Sequence, residues 1–320
     1  MFFPNKHFRF CAALLITFLL FFSCATSPKI ESSLSDSAPD FSVLPKDASL
    51  YLWIDTLHAR PLLDALSSFF MERELSGRDV SRILDMTDYA MVAFYRGASS
   101  PAFHLAGQGN YPSFRAGFSM IFNRDWKKKK SETGNRYWYS KRNELGLALG
   151  KKISIVSSTD PFSPGQETNP APEAFEEFRR SCVLSGWLND PSETINRFIF
   201  NLGVPIQIPA EEFYFGAVRA AAGNGAQDGG GEPWELVFKV KVSSASQARS
   251  LLSIFSIARL FMQRGAPEER GKLTMNPQDA AALLFANVPQ VDDAYLTIRT
   301  GTLEAEEIAL LFNMFSVYSD

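Results

Sequence analysis

The sequence predicts an α+β fold of two tandem pseudo-repeats, each a mainly antiparallel sheet with helices packed on one face. Three observations predict it. Short runs rich in aromatic and β-branched residues alternate with segments whose apolar residues recur at helical spacing. The connections between neighbouring strand-like runs are short and rich in Gly, Ser and Pro, which favours hairpins. The order of elements in the first half then returns in the second, with Trp53 and Trp187 in the opening strand of each.

Taken in order, the folded body opens at Leu44-Pro45, and Leu50 to Ile54 reads as an interior strand because it is apolar almost throughout. Arg60 to Phe70 places Leu62, Leu63, Leu66, Phe69 and Phe70 at helical spacing, with Pro61 acceptable in a first turn. Val80 to Met86 reads as a second short helix. Tyr89 to Tyr95 and Ala102 to Ala106 form a hairpin about Gly97 to Pro101. Pro112 to Phe122 is an amphipathic helix through Phe114, Phe118, Ile121 and Phe122. Strands follow near Trp126, at Tyr137 to Tyr139, and over Leu145 to Ser157 with a break near Gly150. The proline-rich stretch from Asp160 to Pro172 closes the first half.

In the second half, Val183 to Leu188 is a strand and Ser192 to Asn201 a helix. Phe213 to Val218 and Trp234 to Val242 pair across a glycine-rich loop, and Ser246 to Gln263 is a long helix. Tyr295 to Arg299 is a strand, and Leu303 to Phe315 a helix. These readings give a first unit over 45–165 and a second over 172–320.

Composition narrows the function. Hydrophobic residues make up 46% of the 320 residues and charged residues 21%, a globular balance. The formal charge is -3, and without Lys6 and Arg9 there are 30 basic against 35 acidic residues. Nucleic acid is excluded as a partner on this ground, since binding to its phosphates needs a basic face. Phenylalanine is the outlier at 28 residues, and it recurs in the helical segments.

The amino terminus carries Lys6, His7 and Arg9, then an apolar run from Phe10 to Phe22, then Ser23-Cys24. The apolar run is shorter than the roughly 20 residues a spanning helix needs, so it reads as a cleaved export signal. This segment resembles bacterial lipoprotein precursors, with Phe21 and Phe22 giving a looser box of the spirochaete kind. The resemblance implies that residues 1–23 are removed and that Cys24 becomes the diacylated amino terminus, its acyl chains of the palmitate type. Residues 24–44, rich in Ser, Asp and Pro, then form a tether. The opening Leu44-Pro45, Asp47 and Tyr51-Leu52 is similar to a group of exported bacterial proteins built of two such halves. An acylated tether on a Phe-rich α+β body also resembles the treponemal lipoproteins held on the periplasmic face of the outer membrane. That layout implies an envelope location, the outer membrane before the inner.

Chemistry-bearing constellations are sparse. Neither His58 nor His104 accompanies a Gly-x-Ser-x-Gly elbow, and no His-Glu-x-x-His or paired-Cys spacing occurs. No enzymatic activity, metal or cofactor is therefore expected. Gly223 to Gly231 lacks the Gly-Lys-Ser/Thr of a phosphate loop and precedes a strand, so it reads as a hairpin loop. Asp292-Asp293 is an acidic pair without a further ligand pattern, and Glu304, Glu306 and Glu307 suit the start of a helix. Cys182, flanked by Val183 and Leu184, reads as a small buried hydrophobe.

Two stretches point to membrane contact. Trp126 precedes Lys127 to Lys130, an aromatic beside four cations, which suits either an anionic lipid surface or a protected sheet edge. The helix from Gln247 to Gln263 presents an apolar arc wider than one sheet face usually covers. The candidate contact residues are Leu251, Leu252, Phe255, Ala258, Phe261 and Met262, together with Trp126, Lys127 and Lys128. Taken singly, each amphipathic helix is expected to bury its stripe in the core. The function expected is a lipid-anchored envelope protein that engages membrane lipid or an apolar ligand through Phe-rich helices. The competing expectation is a structural or assembly module that binds another envelope protein, the lipid serving only as anchor.

Overall fold

A computed structural model describes residues 40–70, 81, 84–95, 102–150, 152–162, 170–201, 207–220, 233–263, 282–284 and 286–317. The expected signal segment, most of the expected tether and Cys24 lie outside the described residues. So do much of the expected 80–86 helix, the 97–101 turn and the 223–231 loop. The chain divides after Glu177 into two compact units, a few residues beyond the proline-rich stretch expected to separate them.

The first unit contains strands β1 (Leu50–Asp55), β2 (Thr87–Tyr95), β3 (Ala102–Gly109), β4 (Trp126–Lys130), β5 (Arg136–Ser140), β6 (Leu145–Leu149) and β7 (Ile153–Ser157). Helices α1 (Arg60–Phe70) and α2 (Ser113–Phe122) interrupt them. Every pairing is antiparallel, and the strand order is β1-β2-β3-β7-β6-β5-β4. Because side chains alternate along a strand, register decides the core. Leu52, Val92, Leu105, Val156 and Leu147 are successive cross-strand partners and share one face. There they pack with Phe103, Tyr111, Met120, Trp126 and Leu145.

Local chemistry fixes this register. Gly109 approaches the carbonyl of Met86 so closely that a Cβ would lie 2.0 Å from that oxygen, at the point where β2 bulges between Thr87 and Tyr89. The β4–β5 turn is held by Ser131, whose hydroxyl accepts the Asn135 amide at 3.0 Å, and by Gly134 at φ +87°. Arg60 ties the start of α1 to the segment before β2, donating to Asp64 at 3.0 Å and to Asp85 at 2.8 Å. On the opposite face of the sheet, Tyr51 meets Phe41 edge-on, and Phe41 meets Phe175. Phe175 belongs to α3 (Glu173–Arg179), in which the division between the units falls.

The second unit holds β8 (Leu184–Leu188), α4 (Pro191–Asn201), β9 (Glu212–Arg219), β10 (Trp234–Lys241), α5 (Ala245–Gln263), β11 (Gln290–Asp292), β12 (Tyr295–Arg299) and α6 (Ala305–Val317). Its strand order, β8-β9-β10-β12-β11, follows the order β1-β2-β3-β7-β6 of the first unit. All its pairs are antiparallel. Asn196 secures α4 to the chain that follows it, accepting the Ile208 amide at 2.6 Å and donating to the Ile208 carbonyl at 3.1 Å. Trp234, Leu296, Leu303, Ile308 and Leu311 are fully buried.

The fold class is therefore α+β with antiparallel sheets. β11 is absent from the sequence-based expectation because Val291 is its one apolar residue. The acidic pair beside it is a turn: Asp292 ends β11, and Asp293, at φ 50°, turns the chain into β12.

Candidate membrane-contact surface

The site is built on α2 and the strand that follows. Phe118, Ile121 and Phe122 recur at the spacing of one helix face, whereas Met120 falls on the opposite side. Met120 is fully buried in the first unit's core. With that residue inside, the phenylalanine face turns outward: Phe118 is 57% exposed, Ile121 58% and Phe122 72%. Phe118 and Phe122 contact each other edge-on at 5.0 Å. The expectation that this stripe belongs to the core is thus overturned. The core space beneath α2 is already filled by Trp126, Tyr111 and Leu145, so one helix side suffices to close it.

Asn123 ends α2 with its amide on the Met120 carbonyl at 3.2 Å, and three residues later β4 begins at Trp126. Trp126 is buried in the same cluster, which removes it as a lipid-contact residue and makes it the anchor of the strand. Lys127 to Lys130 are all exposed. Lys128 stands over the Trp138 ring at 5.0 Å and Lys129 over the Tyr139 ring at 3.4 Å. Alternation puts Lys128 and Lys130 on the Trp126 side of the sheet, and Lys127 on the other. The expected pair Lys127 and Lys128 is therefore split between two faces.

On α5 the outcome is mixed. Leu251 and Phe255 are buried, at 4% and 1% exposure, and are core residues rather than contact residues. Leu252 is half-buried. The side chains of Ala258, Phe261 and Met262 lie outside the described residues. The outward side carries Ile254 and Ile257, 40% and 56% exposed, which the candidate set had missed. Ser250, Ser253 and Ser256 turn their hydroxyls back onto carbonyls four residues earlier, at 3.0, 3.1 and 2.8 Å. Their hydrogen-bonding needs are met within the helix, so this side of α5 is less polar than its serines suggest. On α4, Phe200 is 74% exposed.

The groups weighed for chemistry are dispersed. His58 pairs with Asp55, Nδ1 to Oδ2 at 2.9 Å, beside the start of α1. His104 is buried mid-strand on β3, and neither ring nitrogen has a hydrogen-bond partner. Burial lowers its pKa to about 4. Cys182 is buried, and burial pushes its thiol up to about 11 despite the Ser181 hydroxyl beside it. Glu212 is drawn two ways: burial would raise it, but the bonds from Lys241, at 2.6 Å, and from Tyr214 hold it below its ordinary range. Among the described residues, no group of three or more His, Cys, Asp or Glu could hold a metal, and no helix is long and apolar enough to cross a membrane.

No family model and no curated protein matches the chain. Its fold is similar to that of the treponemal protein TP0453 in several crystal forms. Against crystal form I the TM-score is 0.52 at 17% identity, covering 88% of this chain and 99% of that one. Form III gives 0.51 at 16% identity, covering 87% and 99%. Form IV gives 0.50 at 15% identity, covering 87% and 97%. At such identities the likeness is one of fold, and it extends over nearly the whole of both chains.

Proposed function

We propose that this is a lipid-anchored protein of the bacterial envelope whose body makes peripheral contact with a membrane through the outward apolar side of α2. Ile254 and Ile257 of α5 offer a smaller surface of the same kind in the second unit. The observation that carries the reading is the exposure of Phe118, Ile121 and Phe122 on a helix whose other side is fixed in the core by Met120. A contiguous apolar helix face left in water is characteristic of an interaction surface rather than of ordinary surface composition. Covering the exposed parts of three such side chains would stabilise the bound state by about 3–5 kcal/mol. That is enough for reversible docking and too little for permanent insertion.

The acyl group on Cys24 carries the anchoring in this proposal. α2 then orients the body against the bilayer, a task distinct from attachment. The spirochaete-like signal segment supports an envelope location, the periplasmic face of the outer membrane before the inner membrane, and the likeness to TP0453 adds agreement in fold alone. The test uses the full chain with Cys24→Ala, which carries no acyl group. This protein should float with lipid vesicles, and Phe118→Ser with Phe122→Ser should abolish flotation while leaving the melting temperature unchanged. A parent that stays with the soluble fraction, yet crosslinks to one defined envelope protein through α2, would support the assembly-module reading instead.

A further inference from the structure

The lysines of β4 sort into two pairs. Lys128 and Lys130 project on the side of the sheet that carries Trp126, the residue packed with Met120 beneath α2; Lys127 and Lys129 project on the other. α2 lies against β4. Phe118 and Phe122 and one lysine pair thus belong to the same side of the first unit. Trp138, the direct cross-strand partner of Lys128, supports that lysine from below at 5.0 Å.

Charge is concentrated at the same place. Residues 113–144 contain nine basic and three acidic residues, in a chain whose formal charge is -3. The remainder of the chain is therefore net acidic, so the charge of this segment suits the approach of a negatively charged surface. Lysine stems lie along apolar surface while their ammonium groups reach the interface, an arrangement suited to lipid phosphates flanking inserted rings.

We infer that α2 and the Lys128/Lys130 side of β4 together dock on an anionic bilayer, the rings entering the acyl boundary while the two lysines meet lipid phosphates. The inference rests on the membrane reading of α2 and adds the class of membrane. Lysines on an edge strand also discourage sheet-to-sheet pairing, and β4 ends the strand order of its unit. That role makes no distinction between the two pairs, whereas bilayer docking does.

The experiment floats the full chain carrying Cys24→Ala with vesicles of phosphatidylcholine alone and with vesicles that also contain phosphatidylglycerol. The parent should bind the anionic vesicles more tightly, and added salt should reduce the difference. Each lysine near such a surface is worth about fivefold in partitioning. Lys128→Gln with Lys130→Gln should therefore lower anionic binding on the order of twenty-five-fold, and Lys127→Gln with Lys129→Gln much less. Lys128→Arg with Lys130→Arg should restore binding, which separates charge from any loss of packing on Trp138. Equal binding of the parent to both kinds of vesicle would overturn the anionic preference while leaving the membrane reading intact. Equal losses from the two lysine pairs would overturn the assignment of the docking side. A parent that binds neither kind of vesicle would overturn the membrane reading itself.

Discussion

Phe118 and Phe122 meet edge to face at a centroid separation of 5.0 Å with their planes at 64°, yet they stay 57% and 72% exposed. Such contact contributes roughly 0.5–1.5 kcal/mol beyond area burial in a desolvated pair, and much less where water reaches both rings. Phe118→Ser and Phe122→Ser are therefore expected to change stability by within about 0.5 kcal/mol each. Met120→Ala, one residue pair away on the buried side, should cost about 2–5 kcal/mol. Denaturant unfolding of the three variants checks the contrast. A large loss for the serine variants would mean that the rings are covered.

The same test applies to α5. Phe255 is 1% exposed and Ile257 56% exposed, two residues apart on opposite sides of one helix. Phe255→Ser should destabilise the second unit by at least about 3–5 kcal/mol, since it combines a cavity with an added hydroxyl. Ile257→Ser should be close to neutral in a thermal melt.

His104 predicts a pH dependence. Its pKa is lowered by burial from 6.5 to about 4, so the unfolded chain binds the proton more readily than the folded one. Stability is fully present above the unfolded value and falls as pH drops from about 6.5 toward 4. The shift corresponds to about 3 kcal/mol, with no further loss from this residue below pH 4. His104→Leu should flatten that part of the curve. Its cross-strand neighbours Ala93 and Ser157 are small, which leaves room for the branched side chain. Urea midpoints measured across this pH range decide the matter, and a variant curve parallel to the parent would rule the histidine out.

Gly109 predicts a backbone effect. A Cβ there would lie 2.0 Å from the Met86 carbonyl oxygen and 2.8 Å from the Thr87 Cα, both backbone atoms that no side-chain rotation can clear. Gly109→Ala should cost about 1–3 kcal/mol or more through displacement of the bulge between β2 and β3. Amide exchange of Asn110, whose N–H donates to the same carbonyl at 2.9 Å, should accelerate in step.

Much of the molecule was legible without coordinates. Strand and helix periods placed β1, α1, β2, β3, α2, β8, α4, β9, β10, α5, β12 and α6 to within a few residues, because the apolar pattern records which residues a sheet or helix must bury. The acylation proposed for Cys24 rests on the resemblance of residues 1–24 to lipoprotein precursors, a local motif whose recognition needs no tertiary contact. β11 escaped because three residues with a single apolar side chain carry no period.

What the sequence by itself determined is the set of apolar stripes, the two-part order of elements and the one basic run. Which stripes are covered was decided only by the tertiary structure. Burial depends on how much core space the sheet leaves, and neighbours distant in sequence fill that space. In the first unit Trp126, Leu145 and Val156 fill much of it, and among the described side chains of α2 Met120 turns inward while Phe118 and Phe122 remain outside. In the second unit α5 sends Leu251 and Phe255 inward and Ile254 and Ile257 outward, a choice its wide arc left open. The division of four consecutive lysines into two faces likewise needs the register of β4 on β5, which a run of identical residues cannot encode.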